Sequence, residues 1–199
     1  MLKRLFDIFF SGLGLIMLSP FFLIMAIGIK LDSKGPVFYR GLRVGLHGKP
    51  FRIFKFRSMV IDTETNGISS TSKNDNRITK VGEIIRKYKL DEIPQLFNVF
   101  FGDMSIVGPR PEVQKFVDQY NEEEKIILTV RPGITDFASI KFHNEGEIIE
   151  NSGIIDADEA YMKLIRPEKL RLQMKYVIKQ NIITDFKIIF LTFRKILFG

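Results

Sequence analysis

The chain contains no cysteine, which excludes disulfides and cysteine-ligated metal sites. Tryptophan is absent, and the two histidines, His47 and His143, are too few for a histidine-rich metal site. No internal repeat or low-complexity tract breaks up the 199 residues, a length that suits one domain or one domain plus an anchor. Charge is missing from residues 8–29 altogether. Elsewhere it is plentiful and unbalanced: 30 Lys and Arg against 23 Asp and Glu give a formal net charge of +7. Such an excess points to anionic partners, whether nucleic acid, phosphates or an acidic membrane surface. Hydrophobic residues make up 45%, enough to bury a core, and 19 of the residues are Phe. A Phe-rich basic chain of near-zero mean hydropathy leans towards a membrane surface.

The uncharged run at 8–29 is close to the roughly 20 apolar residues that a helix needs to cross a bilayer. It is too long for the apolar core of a signal peptide, and no small-x-small cleavage site follows it. Lys3 and Arg4 flank one end and Lys30 the other. Basic residues favour the cytoplasmic side, so a straight span places one basic end on the disfavoured face. In the middle stand Ser19 and Pro20. Proline removes a backbone donor and kinks or breaks a helix. A helix-break-helix that enters and leaves by the same face keeps both basic ends together, and Ser19 can supply a compensating hydrogen bond. Physics alone leaves re-entrant and spanning arrangements both open, with a buried core helix as the plainer alternative.

Downstream, residues 37–43 and 51–59 are rich in β-formers around a Gly- and Pro-containing turn at 45–50, which predicts a β-hairpin. The polar stretch 62–76 predicts a mobile loop. Helices are expected at 78–88, at 91–101 ending at Gly102, at 112–129 in two pieces, at 167–179 and at 185–198. The acidic segment 145–158 reads as a loop. The last helix carries Phe186, Ile189, Phe190, Phe193 and Leu197 at helical spacing beside Lys187, Arg194 and Lys195. Beside an N-terminal membrane segment, such a basic amphipathic helix suits the membrane interface.

Asp91 and Glu92 are expected at a helix start, with Pro94 tolerated in the first turn. A helix N-terminus lowers a carboxylate's pKa and attracts phosphate. A carboxylate there can act as nucleophile towards phosphorus, and its neighbour can offer oxygens to Mg2+. By residue type alone an ordinary acidic cap is the simpler reading. In the segment from Gly102 to Glu112, Pro109 and Pro111 stiffen the backbone around Arg110, and a fixed guanidinium suits bidentate contact with phosphate. A rigid turn with a solvated arginine explains that segment equally well. Among the other cations (Lys55, Arg57, Arg77, Lys80, Arg86, Lys87, Lys89 and Arg131) solvated faces and lipid contacts are the general reading. Arg86 stands apart because it lies just before the acidic pair. Lys55 lies between Phe54 and Phe56 in a strand, so it points away from their face.

The run from Lys89 to Val99, the run from Gly102 to Pro111, and Arg131-Pro132-Gly133-Ile134-Thr135 closely resemble the bacterial sugar transferase family. These are monotopic phosphoglycosyl transferases that start glycan assembly on undecaprenyl phosphate. Lys3-Arg4-Leu5-Phe6-Asp7 before an apolar run with Ser19-Pro20, and Phe54-Lys55-Phe56-Arg57-Ser58-Met59, also look like the family. The resemblance covers nearly the whole chain and matches the minimal catalytic form. It implies an α+β fold with a re-entrant membrane helix over 1–32, broken at Ser19 and Pro20. It also implies a cytoplasm-facing catalytic domain over 33–199, with a small β-hairpin and interfacial amphipathic helices. Asp91 would attack the sugar-bearing phosphate of a UDP-sugar and expel UMP. A polyprenyl phosphate would then take the phosphosugar. Glu92 would support Mg2+, with Asp91 and Glu92 as its protein ligands, and Lys55, Arg86 and Arg110 would bind substrate phosphates. The implied setting is the cytoplasmic face of the bacterial inner membrane, among its lipids, and an oligomer is compatible.

Two departures stand out. Where many members continue the Arg-Pro-Gly-Ile-Thr motif with Gly-Trp-Ala-Gln, this chain has Asp136-Phe137-Ala138-Ser139. Where an Asp is expected before the Tyr-Val pair, it has Gln173. The competing readings are a basic membrane-surface binding protein without catalysis and a membrane-anchored phosphohydrolase using Asp91. Nucleic acid is disfavoured as a partner because no recognition-helix or stacking pattern stands out.

Overall fold

The computed structural model describes residues 2–60 and 77–198. Pro20 decides its first feature. The chain bends by 61° between helices α1 (Leu2–Met17) and α2 (Ser19–Asp32). Proline has no N–H to offer the carbonyl of Ile16, and the Ser19 hydroxyl donates to that carbonyl instead, at 2.8 Å. No single described helix is long and apolar enough to cross a membrane, while the bent pair together has the length and apolar composition of a span. Just past α2, the buried Arg57 donates to the carbonyls of Ser33, Lys34 and Pro36 at 2.6–2.8 Å. Its expected solvated role is therefore corrected: it ties down the chain at the end of α2.

The expected hairpin is present as two short antiparallel ladders. Strand β1 (Phe38–Tyr39) pairs with β4 (Lys55–Phe56), and β2 (Leu42–Val44) pairs with β3 (Pro50–Arg52). A 3-10 turn at Leu46–Gly48 joins the inner pair. Phe38, Phe54, Phe56 and Phe97 pack ring against ring at 5.4–6.1 Å, which leaves Lys55 to the opposite face. The polar stretch expected as a loop at 62–76 lies outside the described residues. Helix α3 (Lys80–Lys87) follows, its first turn capped by Thr79 and by Asp32 of α2, which accepts from the Val81 amide at 2.8 Å. At Gly82 any Cβ would come within 2.0 Å of the Ser58 carbonyl oxygen, so only glycine lets α3 approach the chain there.

Helix α4 (Gln95–Phe101) ends at Gly102 with φ 98°, the left-handed stop that favours glycine. Helix α1 lies along it, with Gly12 and Gly14 facing Phe100 and Leu96. Arg4 donates to the carbonyls of Val99 and Phe100 at 2.6 and 2.9 Å, and Arg131 to that of Gly102 at 2.9 Å. These cations satisfy carbonyls that the end of α4 leaves without helical partners. The buried Asp7 of α1 accepts from the Ser105 hydroxyl and the Ile106 amide, both at 3.0 Å. Those groups belong to β5 (Ser105–Val107), which runs parallel to β6 (Gly133–Thr135).

The expected helix over 112–129 shrinks to α5 (Gln114–Val117) and a 3-10 turn at Glu124–Thr129. Glu112 is extended instead, because its carbonyl accepts from the Val44 amide of β2. Helix α6 (Phe137–Lys141) comes next. The acidic segment is not a loop throughout: it holds α7 (Glu145–Glu150) and the start of α8 (Ala157–Ala160). Acids at the first turns suit those helix starts, and Asp156 caps α8 by accepting from the Asp158 amide at 2.8 Å. A π-helical turn at Tyr161–Ile165 leads into α9 (Arg166–Lys179). The last helix, α10 (Ile182–Phe198), starts earlier than the sequence suggests, where the Asn181 side chain accepts from the Thr184 amide. Ile188 of α10 packs inward on Tyr176 and Val107. Ile183, Phe186, Phe190 and Phe193 stay exposed.

Candidate functional site

Asp91 and Glu92 sit on a 3-10 turn, Leu90–Glu92, one step ahead of α4. The expected helix start at Asp91 is therefore corrected. Pro94 cannot donate back to Leu90, and the Leu90 carbonyl accepts from Ile93 instead, so the regular ladder begins only at Gln95. Lys89, just before the turn, has φ 53°, a left-handed backbone that reverses the chain out of α3. Its ammonium donates to the His143 carbonyl.

Three of the expected cations gather around the acids. From β4, Lys55 places its ammonium 3.0 Å from Glu92 and 3.5 Å from Asp91. From the Pro109–Pro111 loop, Arg110 grips both oxygens of Glu92, one of them at 2.6 Å, as the stiffened segment suggested. Arg86, at the end of α3, lies close enough for its charge to act on Asp91 but has a different neighbour, the Met59 sulfur at 4.0 Å. Lys80 and Lys87 make no hydrogen bond with either acid among the described residues. Ser19 and Pro20 lie at the bend of the N-terminal helices, apart from this cluster.

The two carboxylates differ in how strongly they hold a proton. Burial works against ionising Glu92, but Arg110 and Lys55 outweigh it and hold its carboxyl well below the usual range. Asp91 goes the other way. Burial pushes it up, the neighbouring Glu92 charge adds to that, and the pull of Lys55, Arg110 and Arg86 does not cancel the rise. The lowered pKa expected from a helix N-terminus is thus replaced by a raised one, because the acid is buried ahead of the helix rather than seated on it. The result is one carboxylate held charged by its cations and, beside it, one that takes up a proton more readily. Pairs of acids driven apart in this way are suited to different chemical roles.

For Mg2+, two adjacent carboxylates are the usual protein share, with substrate phosphates and water completing the shell. The donor set fits on those terms. Both Glu92 oxygens already accept from cations, so a metal would share them, whereas Asp91 has the freer oxygens. Among the described residues no group of three or more acids, His or Cys is placed to hold a metal, so the remaining ligands would come from substrate.

Sequence reasoning missed the supports of Arg110. The fully buried Asp136 caps α6 by accepting from the Ser139 amide and hydroxyl at 2.6 and 2.7 Å. Its other oxygen accepts from the Arg110 amide at 3.3 Å and from the Gln173 side chain at 3.1 Å. Gln173 also reaches the Arg110 carbonyl at 3.5 Å. The two departures from the family pattern therefore touch each other, and together they hold the main chain of Arg110 on both sides. That they were departures was the available signal; their contact was not readable from positions so far apart. Two residues beyond Arg110, the buried Glu112 accepts from the Tyr161 hydroxyl and pairs with Lys169 at 3.3 Å. Glu145, on α7, adds a negative charge felt by Arg110 and Lys89.

Comparison with known proteins bears on the whole of this arrangement. The family model described as bacterial sugar transferase matches residues 1–199. The UDP-glucose:undecaprenyl-phosphate glucose-1-phosphate transferase of Klebsiella pneumoniae is 39% identical over 194 residues, covering 96% of this chain and 39% of that protein. The UDP-N-acetylgalactosamine-undecaprenyl-phosphate N-acetylgalactosaminephosphotransferase of Aeromonas hydrophila is 38% identical, covering 100% of this chain and 44% of that one. An uncharacterized sugar transferase of Bacillus subtilis, EpsL, is 36% identical over 98% of this chain and 87% of its own length. The chain thus spans less than half the length of the first two.

Proposed function

The chain belongs to the bacterial sugar transferase family, and we propose that it moves a phosphosugar from a UDP-sugar to a polyprenyl phosphate, with undecaprenyl phosphate as acceptor. The observation that carries this is the pairing of a raised, partly accessible Asp91 with a Glu92 held charged by Arg110 and Lys55. In the first step an Asp91 carboxylate oxygen attacks the sugar-bearing phosphorus. The bond from that phosphorus to the bridging oxygen breaks, and UMP leaves with the electron pair. In the second, an oxygen of the polyprenyl phosphate attacks the same phosphorus and releases Asp91, giving a polyprenyl diphosphate sugar. A carboxylate pushed up by burial is a stronger nucleophile once ionised.

Lys55, Arg86 and Arg110 would hold the diphosphate and offset charge as it shifts to the leaving group. Arg86 is best placed to take a phosphate, since neither acid occupies it. Asp91 and Glu92 would hold Mg2+, which would neutralise charge on the diphosphate. Glu92 keeps Arg110 and Lys55 aimed at the reacting group whether or not substrate is present.

The acceptor lipid is insoluble and the donor soluble, so the reaction needs a wet face at a membrane. The bent helices over 1–32 would enter and leave the inner membrane by its cytoplasmic face, with 33–199 as the catalytic part. The exposed apolar residues of α1, α2 and α10 would meet lipid there. Intact-protein mass after incubation with Mg2+ and a panel of UDP-sugars, without lipid acceptor, tests the mechanism. A phosphosugar-sized gain is expected in the wild type and absent in Asp91→Asn. Equal adduct in both proteins, or no adduct in a wild type that releases UMP and forms lipid product once undecaprenyl phosphate is added, would remove Asp91 as the nucleophile.

A further inference from the structure

A cavity of about 290 Å3 lies at the beginning of α1, walled by the Leu46–Gly48 turn, the residues after the Glu124–Thr129 turn, β5 and the end of α9. It shares no lining residue with the Asp91 cluster. Lys3, Arg4 and Arg131 bring three cations to its wall, against one lining acid, Asp7. Asp7 is already occupied by the donors of Ser105 and Ile106. Lys3 pairs with Asp185 at 2.5 Å. The two arginines bond only to carbonyls, which satisfy hydrogen bonds without neutralising charge. Arg131 uses its Nε on Gly102, so among the described residues its two terminal nitrogens keep their donors free. A planar fork with free donors suits the oxygens of a phosphate ester.

The cavity is also bordered by His47, whose φ of 55° is unusual for a residue with a side chain. Backbone of this kind is strained and persists only where its surroundings enforce it. Its exposed imidazole makes no hydrogen bond among the described residues. On the flank of the cavity, α1 and α10 meet through Lys3 and Asp185 and through the rings of Phe6 and Phe186 at 5.4 Å. The exposed Leu2, Leu5 and Ile183 continue from there. Polar and cationic groups inside, with apolar surface beside them, match an amphiphile carrying an anionic head.

We propose that this cavity is a second anion site, separate from Asp91, that takes a phosphate ester through Arg131, Arg4 and Lys3, with His47 at its edge. The ligand is a phosphate group, either on a lipid headgroup or free in solution. The site does not depend on the transfer reaction. Native mass spectrometry of the full chain in mixed phosphatidylglycerol and phosphatidylcholine micelles tests it, alongside thermal melting with and without inorganic phosphate. Wild type should retain a phosphatidylglycerol that Arg131→Gln holds about tenfold less well, the size expected for a lost charge-assisted contact. A midpoint raised by inorganic phosphate in the wild type but not in Arg131→Gln, with no retained lipid, would equally support the site and assign it to free phosphate. His47→Gly relieves the strained backbone, keeps the Gly102 contact and should weaken binding several-fold, so it carries the test if Arg131→Gln does not fold. Equal lipid retention and equal phosphate response in wild type and both folded variants would overturn the proposal.

Discussion

Asp91 sits among charges that pull its proton both ways. Burial and Glu92 raise its pKa, while Lys55, Arg110 and Arg86 lower it. The attack proposed for Asp91 needs the carboxylate, so the acid limb of kcat/KM should lie above the ordinary aspartate value of about 3.9. Removing a cation raises the pKa further, so Lys55→Gln should move that limb to higher pH. A pH–rate profile in which the limb moves down would show that Asp91 does not govern it. In stability the same shift has the opposite sense to the usual acid. A raised folded-state pKa contributes stability below the unfolded value that is lost as pH rises through the folded one. Glu92, held low, contributes above its unfolded pKa and loses that contribution as pH falls. Asp136 acts on the site through the main chain of Arg110. In Asp136→Asn an amide N–H2 in place of Oδ2 would face the Arg110 amide and the Gln173 side chain, donor against donor. Such a shift of a positioned group is worth about 10–100-fold. The expected outcome is a KM for UDP-sugar raised on that scale with kcat less affected, together with a lowered melting temperature, since buried donors are left without acceptors. An unchanged KM would confine Asp136 to capping α6.

At the scale of elements, the bend between α1 and α2 is the feature the sequence made plainest. Pro20 removes one donor, and the neighbouring Ser19 supplies another to the same Ile16 carbonyl. Pro20→Ala restores the backbone donor and allows one continuous apolar helix of spanning length. Reporter fusions at both termini should then find them on opposite sides of the membrane in the variant and on the same side in the wild type. Both termini cytoplasmic in Pro20→Ala would show that packing on α4 sets the bend rather than proline. The helix over 91–101 was legible except at its start, where hydrogen-bond arithmetic around Pro94 moved the boundary to Gln95. The segment 112–129 misled because its helical periodicity competes with a long-range bond from Val44 to Glu112, which no local pattern reveals. The acidic segment misled in the other direction, since glycines at 146 and 153 mask two short helices with well-placed acids at their starts.

For the molecule as a whole, the sequence exposed the parts that act locally and hid those assembled from distant ones. By residue type alone Asp91 and Glu92 read as an acidic cap and Arg110 as an arginine in a stiff turn; the resemblance to a family singled them out, and the structure places the three side by side. Lys55 was readable from strand alternation, which turned it away from Phe54 and Phe56. Asp136, Gln173 and Glu145 were not readable as neighbours of Arg110, because three separate helices bring them there. The contacts that α1 makes with the rest of the fold follow the same rule and carry a practical consequence. Arg4 closes the carbonyl end of the helix that follows the acidic pair, and Asp7 fastens the edge of β5. An engineer who trims the greasy leader to obtain a water-soluble catalyst would cut through the scaffold itself. What looks like a mooring line is a tie-beam, and solubility would have to be won by repainting its outer surface rather than by removing it.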